Sequence, residues 1–118
     1  MATIDNPEGF VMITFEDFKK LDIRIGKVIS AERIPDSDKL VKLIVDFGSE
    51  QRQILAGITE YVADLNTLVG KEMPFIVNLE PRKMRGLESQ GMMLAAISDD
   101  APVLLHPAEE VPPGSIVR

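Results

Sequence analysis

Several residue types that often mark catalytic or metal-binding proteins are rare or missing in this chain of 118 residues. It has no cysteine, which excludes disulfides and thiolate metal sites. Its single histidine, His106, has no second histidine or cysteine with which to form a zinc site. We find no glycine-rich phosphate loop and no carboxylate pair that would suggest a nucleophile and base. We therefore expect a protein without enzymatic activity, metal or cofactor.

Long apolar segments are also missing. No run approaches the roughly 20 residues of a membrane span. The first nine residues contain Asp5 and Glu8 and lack the basic and apolar regions of a signal peptide. These absences predict a cytoplasmic protein without membrane contact. Hydrophobic residues make up 45% of the chain, enough for one folded domain with a single core.

The pattern of apolar residues predicts an all-β fold. Thr14 can cap a short helix, with Asp17 as the acid of a capping box. Strands are predicted over residues 22–33, 40–47, 51–56, 72–79 and 91–98, with a helical segment over residues 58–68 and short C-terminal strands near 103–105 and 114–117. Gly26 is expected to mark a bulge or bend. Five strands with a helix between the third and fourth are typical of the OB-fold, a Greek-key barrel.

We expect residues 14–118 to form one OB-fold domain with a C-terminal extension, and residues 1–13 to form an N-terminal tail. The apolar end of the tail, Phe10 to Ile13, offers a possible interface.

Positive charge is concentrated in one short segment between Pro81 and Gly86. Arg82, Lys83 and Arg85 lie within four residues, although the chain has a formal net charge of -6 and a pI of about 4.7. A polyanion would be repelled by most of such a surface and attracted at this one place. In an OB-fold, the connections between strands one and two and between strands four and five flank the oligonucleotide-binding face. The cationic loop falls in the second of these connections.

Residues around the cations can add contacts of other kinds. Asn78, Ser89 and Gln90 can form hydrogen bonds to base edges or ribose hydroxyls. Met84 and Met92 can lie against an unstacked base as polarizable contacts. Residues 76–118 contain no aromatic side chain, so such a site would read backbone, shape and one or two bases.

An ordinary solvated basic loop is the alternative interpretation of the same segment. Glu80 and Glu88 lie close to the cations in sequence and would neutralise part of their charge. The predicted barrel topology favours binding over this alternative.

Five motifs together resemble the tRNA-binding domain family. They are Leu21-Asp22-Ile23-Arg24-Ile25-Gly26-Lys27-Val28, Pro35-Asp36-Ser37-Asp38-Lys39-Leu40, Val45-Asp46-Phe47-Gly48, Asn78-Leu79-Glu80-Pro81-Arg82-Lys83-Met84-Arg85-Gly86 and Ser89-Gln90-Gly91-Met92. The family includes the C-terminal domain of methionyl-tRNA synthetases, their separate beta subunit and free-standing tRNA-binding proteins. The resemblance implies an OB-fold, a homodimer and structure-specific binding of tRNA. It implies RNA-binding roles for Asn78, Arg82, Lys83, Met84, Arg85, Ser89 and Met92.

The function that this resemblance implies is non-catalytic tRNA binding, either alone or as an accessory (beta) subunit of methionyl-tRNA synthetase. Small relatives that resemble the secretion chaperone CsaA share the barrel and the dimer but bind unfolded preproteins. They generally depart from the Pro-Arg-Lys-Met-Arg-Gly pattern, which residues 81–86 retain. A dimeric chaperone or protein-interaction adaptor is therefore the alternative function, and tRNA binding is preferred.

Overall fold

Residues 11–118 are described by a computed structural model, and residues 1–10 of the predicted N-terminal tail lie outside this range. The first half contains α1 (Phe15–Lys19), β1 (Ile23–Arg33), β2 (Val41–Asp46), β3 (Gln51–Ala56), 3-10 helices at Thr59–Tyr61 and Leu65–Leu68, and β4 (Glu72–Ile76). The second half contains β5 (Arg82–Met84), β6 (Leu87–Ser89), β7 (Met92–Met93), β8 (Ala95–Ser98), β9 (Ala101–Leu104) and β10 (Ile116–Val117).

The helix α1 begins at the predicted cap. The backbone N–H of Asp17 donates to the Thr14 hydroxyl at 3.1 Å, and the Asp17 carboxylate accepts from the Thr14 backbone N–H. This capping box satisfies backbone donors that a helix start otherwise leaves unpaired. No residue of α1 is buried, so its two aromatic rings, Phe15 and Phe18, remain on the surface.

The main sheet is antiparallel, with the strand order β3-β2-β1-β4-β7, and β10 pairs with the start of β1. The long strand β1 pairs with β4 along its first half and with β2 along its second half, which lets the sheet curl. On the far side, the Gln90 backbone N–H donates to the Gln53 carbonyl at 2.8 Å, between β3 and the segment before β7. The sheet is therefore a nearly closed barrel, and the predicted all-β, OB-like fold is confirmed.

The barrel interior is filled by side chains. Val41, Leu43 and Val45 of β2 are fully buried, as their alternation predicted. Phe47 packs edge-on against Phe75, with ring centroids 5.6 Å apart. Because each fully buried aliphatic or aromatic side chain contributes about 1.5–3 kcal/mol, this cluster is the main source of stability. It fixes the positions of the strands whose ends build the surface described below.

Two predictions within the barrel were wrong in detail. Gly26 does not mark the bulge, because the pairing of β1 with β2 shifts between Val28 and Ser30. Gly26 is instead a packing requirement, since an added Cβ would lie 2.7 Å from the Phe47 ring. The single helical segment over residues 58–68 is two short 3-10 helices. The Asp64 side chain accepts from the Asn66 backbone N–H at 3.0 Å and so starts a new turn there.

The predicted fifth strand, residues 91–98, divides between two sheets. β7 pairs with β4, and after Leu94 the chain leaves the barrel and forms a separate hairpin of β8 and β9. One continuous apolar run therefore serves two sheets. The segment over residues 80–90, predicted as a loop, also contains a hairpin, formed by β5 and β6.

Candidate nucleic-acid interface

The cationic segment is an antiparallel hairpin with a two-residue turn. Met84 and Leu87 form the last pair of β5 and β6, and Arg85 and Gly86 make the turn between them. Both turn residues are left-handed, with φ angles of 53° and 80°, as a type I′ turn requires. The three cations are thus displayed on a defined element rather than on an irregular loop.

Antiparallel pairing sends the cations in different directions. Arg82 lies opposite Ser89, which is buried, so these two residues are on the face that turns towards the barrel. Lys83 lies on the other face, directly opposite Glu88. Arg85 is at the tip. The structure therefore keeps the predicted cations on one hairpin but divides them among two faces and a turn.

The hairpin cations are exposed. Within residues 11–118, Arg82, Lys83 and Arg85 have no carboxylate oxygen within 4.0 Å. Two other arginines are paired, at 2.8 Å for Arg24 with Asp22 and 2.7 Å for Arg52 with Glu50. The hydrogen bond to Asp22 and the charge of that carboxylate raise the pKa of Arg24 above its ordinary value. Within residues 11–118, the positive charges of the hairpin are therefore not neutralised by an ion pair.

A groove of about 380 Å³ runs beside the hairpin. Arg82 and Met84 line one side of it, and Met92, which is 40% exposed, lies in its wall. The rest of the lining is mainly apolar and includes Leu55 and Ile97. The structure therefore brings three of the predicted site residues to one groove, whereas Lys83 and Arg85 lie outside its lining.

Ser89 holds the hairpin against β3. Only 3% of the residue is exposed, and its hydroxyl accepts from the Leu55 backbone N–H at 3.0 Å. The same hydroxyl donates to the Gly91 carbonyl at 2.9 Å. The Ser89 hydroxyl is thus used within the protein, and the direct RNA contact implied by the resemblance stays a prediction.

Two residues that the sequence did not single out for this site also anchor the hairpin. The Gln53 side chain donates to the Glu88 carbonyl at 2.9 Å. Arg52 donates from Nη1 to the carbonyls of Val77 at 2.6 Å and Gln90 at 3.2 Å. Because the partners are 25 to 38 residues away in sequence, no local pattern could have revealed them.

Asn78 lies away from the hairpin groove. Its side-chain carbonyl accepts from the Asp22 backbone N–H at 2.9 Å, and its amide donates to the Lys20 carbonyl at 2.6 Å. Asn78 thus ties the α1–β1 junction to the end of β4. It lines a second groove of about 600 Å³, between α1 and β10.

His106 belongs to the C-terminal segment rather than to a site. Its Nδ1 is 2.8 Å from the Glu72 carbonyl, and the Glu72 carboxylate accepts from the Val111 backbone N–H at 2.9 Å. Among residues 11–118, no three histidine, aspartate or glutamate side chains are grouped as metal ligands. Over the same range, no helix combines the length and hydrophobicity needed to cross a membrane.

A family model described as "Putative tRNA binding domain" matches residues 23–116, which include the barrel, the hairpin and the groove. The chain belongs to the tRNA-binding domain family. The motifs at residues 21–28, 35–40, 45–48, 78–86 and 89–92 therefore identified the family correctly.

Curated relatives of this tRNA-binding domain are methionine–tRNA ligases. The enzyme of Archaeoglobus fulgidus is 53% identical over 106 residues, and that of Thermotoga maritima is 50% identical over 105 residues. These matches cover 89% of this chain but 16% of each ligase. The chain thus spans about a sixth of the length of the curated relatives that it matches.

Solved structures share the whole fold. A methionyl-tRNA synthetase-related protein from Pyrococcus horikoshii superimposes with a TM-score of 0.87 at 41% identity, covering 92% of this chain and 100% of that one. The chaperone CsaA from Bacillus anthracis superimposes with a TM-score of 0.84 at 32% identity, with the same coverage. The tRNA-binding domain is therefore similar both to a synthetase-related protein and to a chaperone.

Proposed function

We propose that this domain binds tRNA through the β5–β6 hairpin and the groove beside it, without catalysing a reaction. The observation that carries the proposal is the exposed hairpin whose three cations have no ion-pair partner among the described residues. Arg82 and Arg85 can make bidentate contacts with phosphates, whereas Lys83 acts as a point charge. Met84 and Met92 supply apolar, polarizable surface for a base. The acidic remainder of the surface orients the RNA towards this one side.

A triple variant tests the proposal. Arg82→Ala and Lys83→Ala remove two cations, and Arg85→Asn removes the third while keeping a residue that tolerates the left-handed turn. The matched control, Lys27→Ala with Lys42→Ala and Lys71→Ala, has the same net charge and an intact hairpin. We expect the triple variant to lose most of its affinity for total tRNA in a gel-shift titration, and the control to lose little. Equal loss in both proteins would mean that net charge alone governs binding, and unchanged affinity in the triple variant would refute the proposal.

The synthetase relatives suggest where such binding is used. We infer that the domain supplies tRNA to methionyl-tRNA synthetase, as a free-standing protein, an accessory beta subunit or a part of the enzyme. Tethering a weak tRNA-binding module to an enzyme raises the effective concentration of tRNA at that enzyme without any new catalytic group. A cytoplasmic location agrees with this proposed partner.

We further propose a homodimer that uses the α1–β10 groove as its interface. Phe15 is 70% exposed, Leu21 45% and Ile116 53%, and all three line this groove. An exposed apolar surface of this kind is typical of an interaction site. The α1–β10 groove lies at the α1–β1 junction and β10, while the proposed RNA site lies on the hairpin. Dimerisation and RNA binding would therefore use separate surfaces.

Peptide binding is the second candidate function, favoured by the likeness to the CsaA chaperone and by the apolar lining of the hairpin groove. An unfolded peptide would compete with tRNA if both use that groove. A competition titration separates the two functions. We expect excess unfolded peptide to leave the tRNA affinity nearly unchanged, whereas full displacement of tRNA would favour the chaperone.

A further inference from the structure

A second depression of about 380 Å³ adjoins the hairpin groove. Gly57, Ile97 and Pro102 line both, so the two form one continuous track. Arg82 lines the first part, and Lys39, from the connection between β1 and β2, lines the second. Each part of the track is therefore lined by one cation, and the two parts share the apolar residues Ile97 and Pro102.

The second depression contains an exposed aromatic ring, that of Tyr61, which is 49% exposed. Tyr61 ends the first 3-10 helix, and its backbone N–H donates to the Ile58 carbonyl at 2.9 Å. The other aromatic rings in residues 11–118 lie elsewhere: Phe47 and Phe75 are in the core, and Phe15 and Phe18 line the α1–β10 groove. Tyr61 thus supplies the aromatic surface that residues 76–118 lack.

We propose that Tyr61 stacks on an unpaired base of the bound RNA while Lys39 contacts a neighbouring phosphate. This inference rests on the proposed tRNA-binding function and extends its site along the track. Every base has a flat face, so an aromatic side chain can hold an unpaired base of any sequence. The Thr59 backbone N–H donates to the Lys39 carbonyl at 3.1 Å, which ties Lys39 to the turn that carries the ring.

The other lining residues fit a nucleoside. Ile97 and Pro102 provide apolar surface beside the ring. Glu60 and Asp100 line the same depression and offer carboxylate oxygens, which accept from exocyclic amines of bases or from ribose hydroxyls. These acids would repel a phosphate placed against them, so the sugar and base lie there and the phosphate lies towards Lys39.

Substitution of Tyr61 tests the stacking. We expect Tyr61→Ala to weaken tRNA binding by about fivefold or more, since stacking of one base on an aromatic ring has at least that effect. Tyr61→Phe retains the ring and should bind within about twofold of the parent protein. The dependence of affinity on salt should stay the same in Tyr61→Ala, because every cation that neutralises a phosphate is still present. The hairpin triple variant should reduce that dependence.

A spectroscopic test can follow the Tyr61 ring without removing it. Tyr61 is the single tyrosine of the chain, so biosynthetic incorporation of 3-fluorotyrosine gives one ¹⁹F resonance that reports on this site alone. Saturation with tRNA should shift that resonance through the ring current of the stacked base. An unfolded peptide at the same concentration should leave it in place.

The outcomes separate the two proposals. If Tyr61→Ala binds tRNA like the parent protein while the hairpin triple variant does not, stacking is refuted and the hairpin site stands. If neither variant changes tRNA binding, the proposed function itself fails. A ¹⁹F resonance that moves with peptide and not with tRNA would assign this depression to peptides and overturn the inference.

Discussion

The hairpin cations differ in what surrounds them, and so should their contributions to binding. Arg82 lies on the barrel-facing side and lines the groove, with Met84 two residues away on the same face. Lys83 lies on the opposite side across from Glu88, whose charge lowers the local positive potential. We therefore expect the contribution of each cation to tRNA binding to depend on its position on the hairpin as well as on its charge.

Single substitutions test this ranking. We expect Arg82→Ala to weaken tRNA binding by roughly tenfold, because alanine cannot replace the charge-assisted bidentate hydrogen bonds of the guanidinium. Lys83→Ala should have a smaller effect. Titrations at several salt concentrations should show a lower salt slope for Arg82→Ala, by about 0.7–0.9 for each phosphate that is no longer neutralised. A larger effect from Lys83→Ala would place the RNA on the outer face of the hairpin.

Ser89 provides a prediction about stability. Ser89→Ala removes the acceptor of the buried Leu55 backbone N–H, which should lower the free energy of unfolding by about 1–3 kcal/mol. Ser98→Ala, at an exposed serine, is the matched control and should change it by less than about 0.5 kcal/mol. Urea denaturation measures both. Unchanged stability with impaired tRNA binding in Ser89→Ala would support the direct contact implied by the resemblance.

At the scale of elements, the strands with a regular alternation were predicted well and the hairpin was not. The β2 sequence alternates between buried and partly buried residues, so its pattern alone indicates a strand. β5 and β6 are three residues each and contain no β-branched residue. Their turn, Arg85-Gly86, also lacks the asparagine or aspartate that usually precedes glycine in a type I′ hairpin. The sequence therefore placed the three cations between two strands of the barrel, but it did not predict the hairpin that carries them.

The candidate site was predictable where it depends on residue type and less so where it depends on long-range contacts. Positive charge at Arg82 and thioether groups at Met84 and Met92 are visible in the sequence. The anchoring of Ser89 to Leu55 and of Gln53 to Glu88 forms only when β3 meets the hairpin. Residues 1–13 stay a predicted tail, because most of them lie outside the described range.

Two substitutions in the hairpin turn test the effects of its shape and of its charge separately. Gly86→Ala should cost about 1–2 kcal/mol, since its φ of 80° is unfavourable for a residue with a Cβ, and it should weaken tRNA binding as the hairpin distorts. Arg85→Asn retains the turn conformation and removes the charge, so stability should remain while affinity falls. Thermal melts and gel-shift titrations of both variants check this. Full tRNA affinity in a destabilised Gly86→Ala protein would show that the shape of the hairpin does not matter.

In the whole molecule, the surface proposed for RNA and the surface proposed for dimerisation are separate. The hairpin carries cations that have no ion-pair partner among residues 11–118, whereas the α1–β10 groove combines exposed apolar side chains with cations, three of which (Lys19, Lys20 and Arg24) are paired with acids. The first suits a polyanion and the second suits another protein surface. A dimer would present two hairpins and could contact one folded RNA at two places, which raises its affinity without new contacts within each site.

A charge placed in the α1–β10 groove tests the dimer. Ile116→Asp should convert the protein from dimer to monomer in sedimentation velocity, because it removes an exposed apolar side chain from the proposed interface and puts a carboxylate, which is costly to bury, in its place. Val103→Asp places the same charge on β9, at an exposed position outside the lining of this groove, and should leave the dimer intact. A parent protein that sediments as a monomer at micromolar concentration would refute the proposed dimer.

Binding of tRNA at the hairpin and the groove beside it can be observed residue by residue. The experiment is a titration of the ¹⁵N-labelled protein with tRNA, followed through the assigned backbone amide resonances. We predict that the resonances of residues 82–89 and 92–93 shift or broaden first, while those of α1 and β10 change little. Changes centred on α1 and β10, with the hairpin resonances unaffected, would contradict this account.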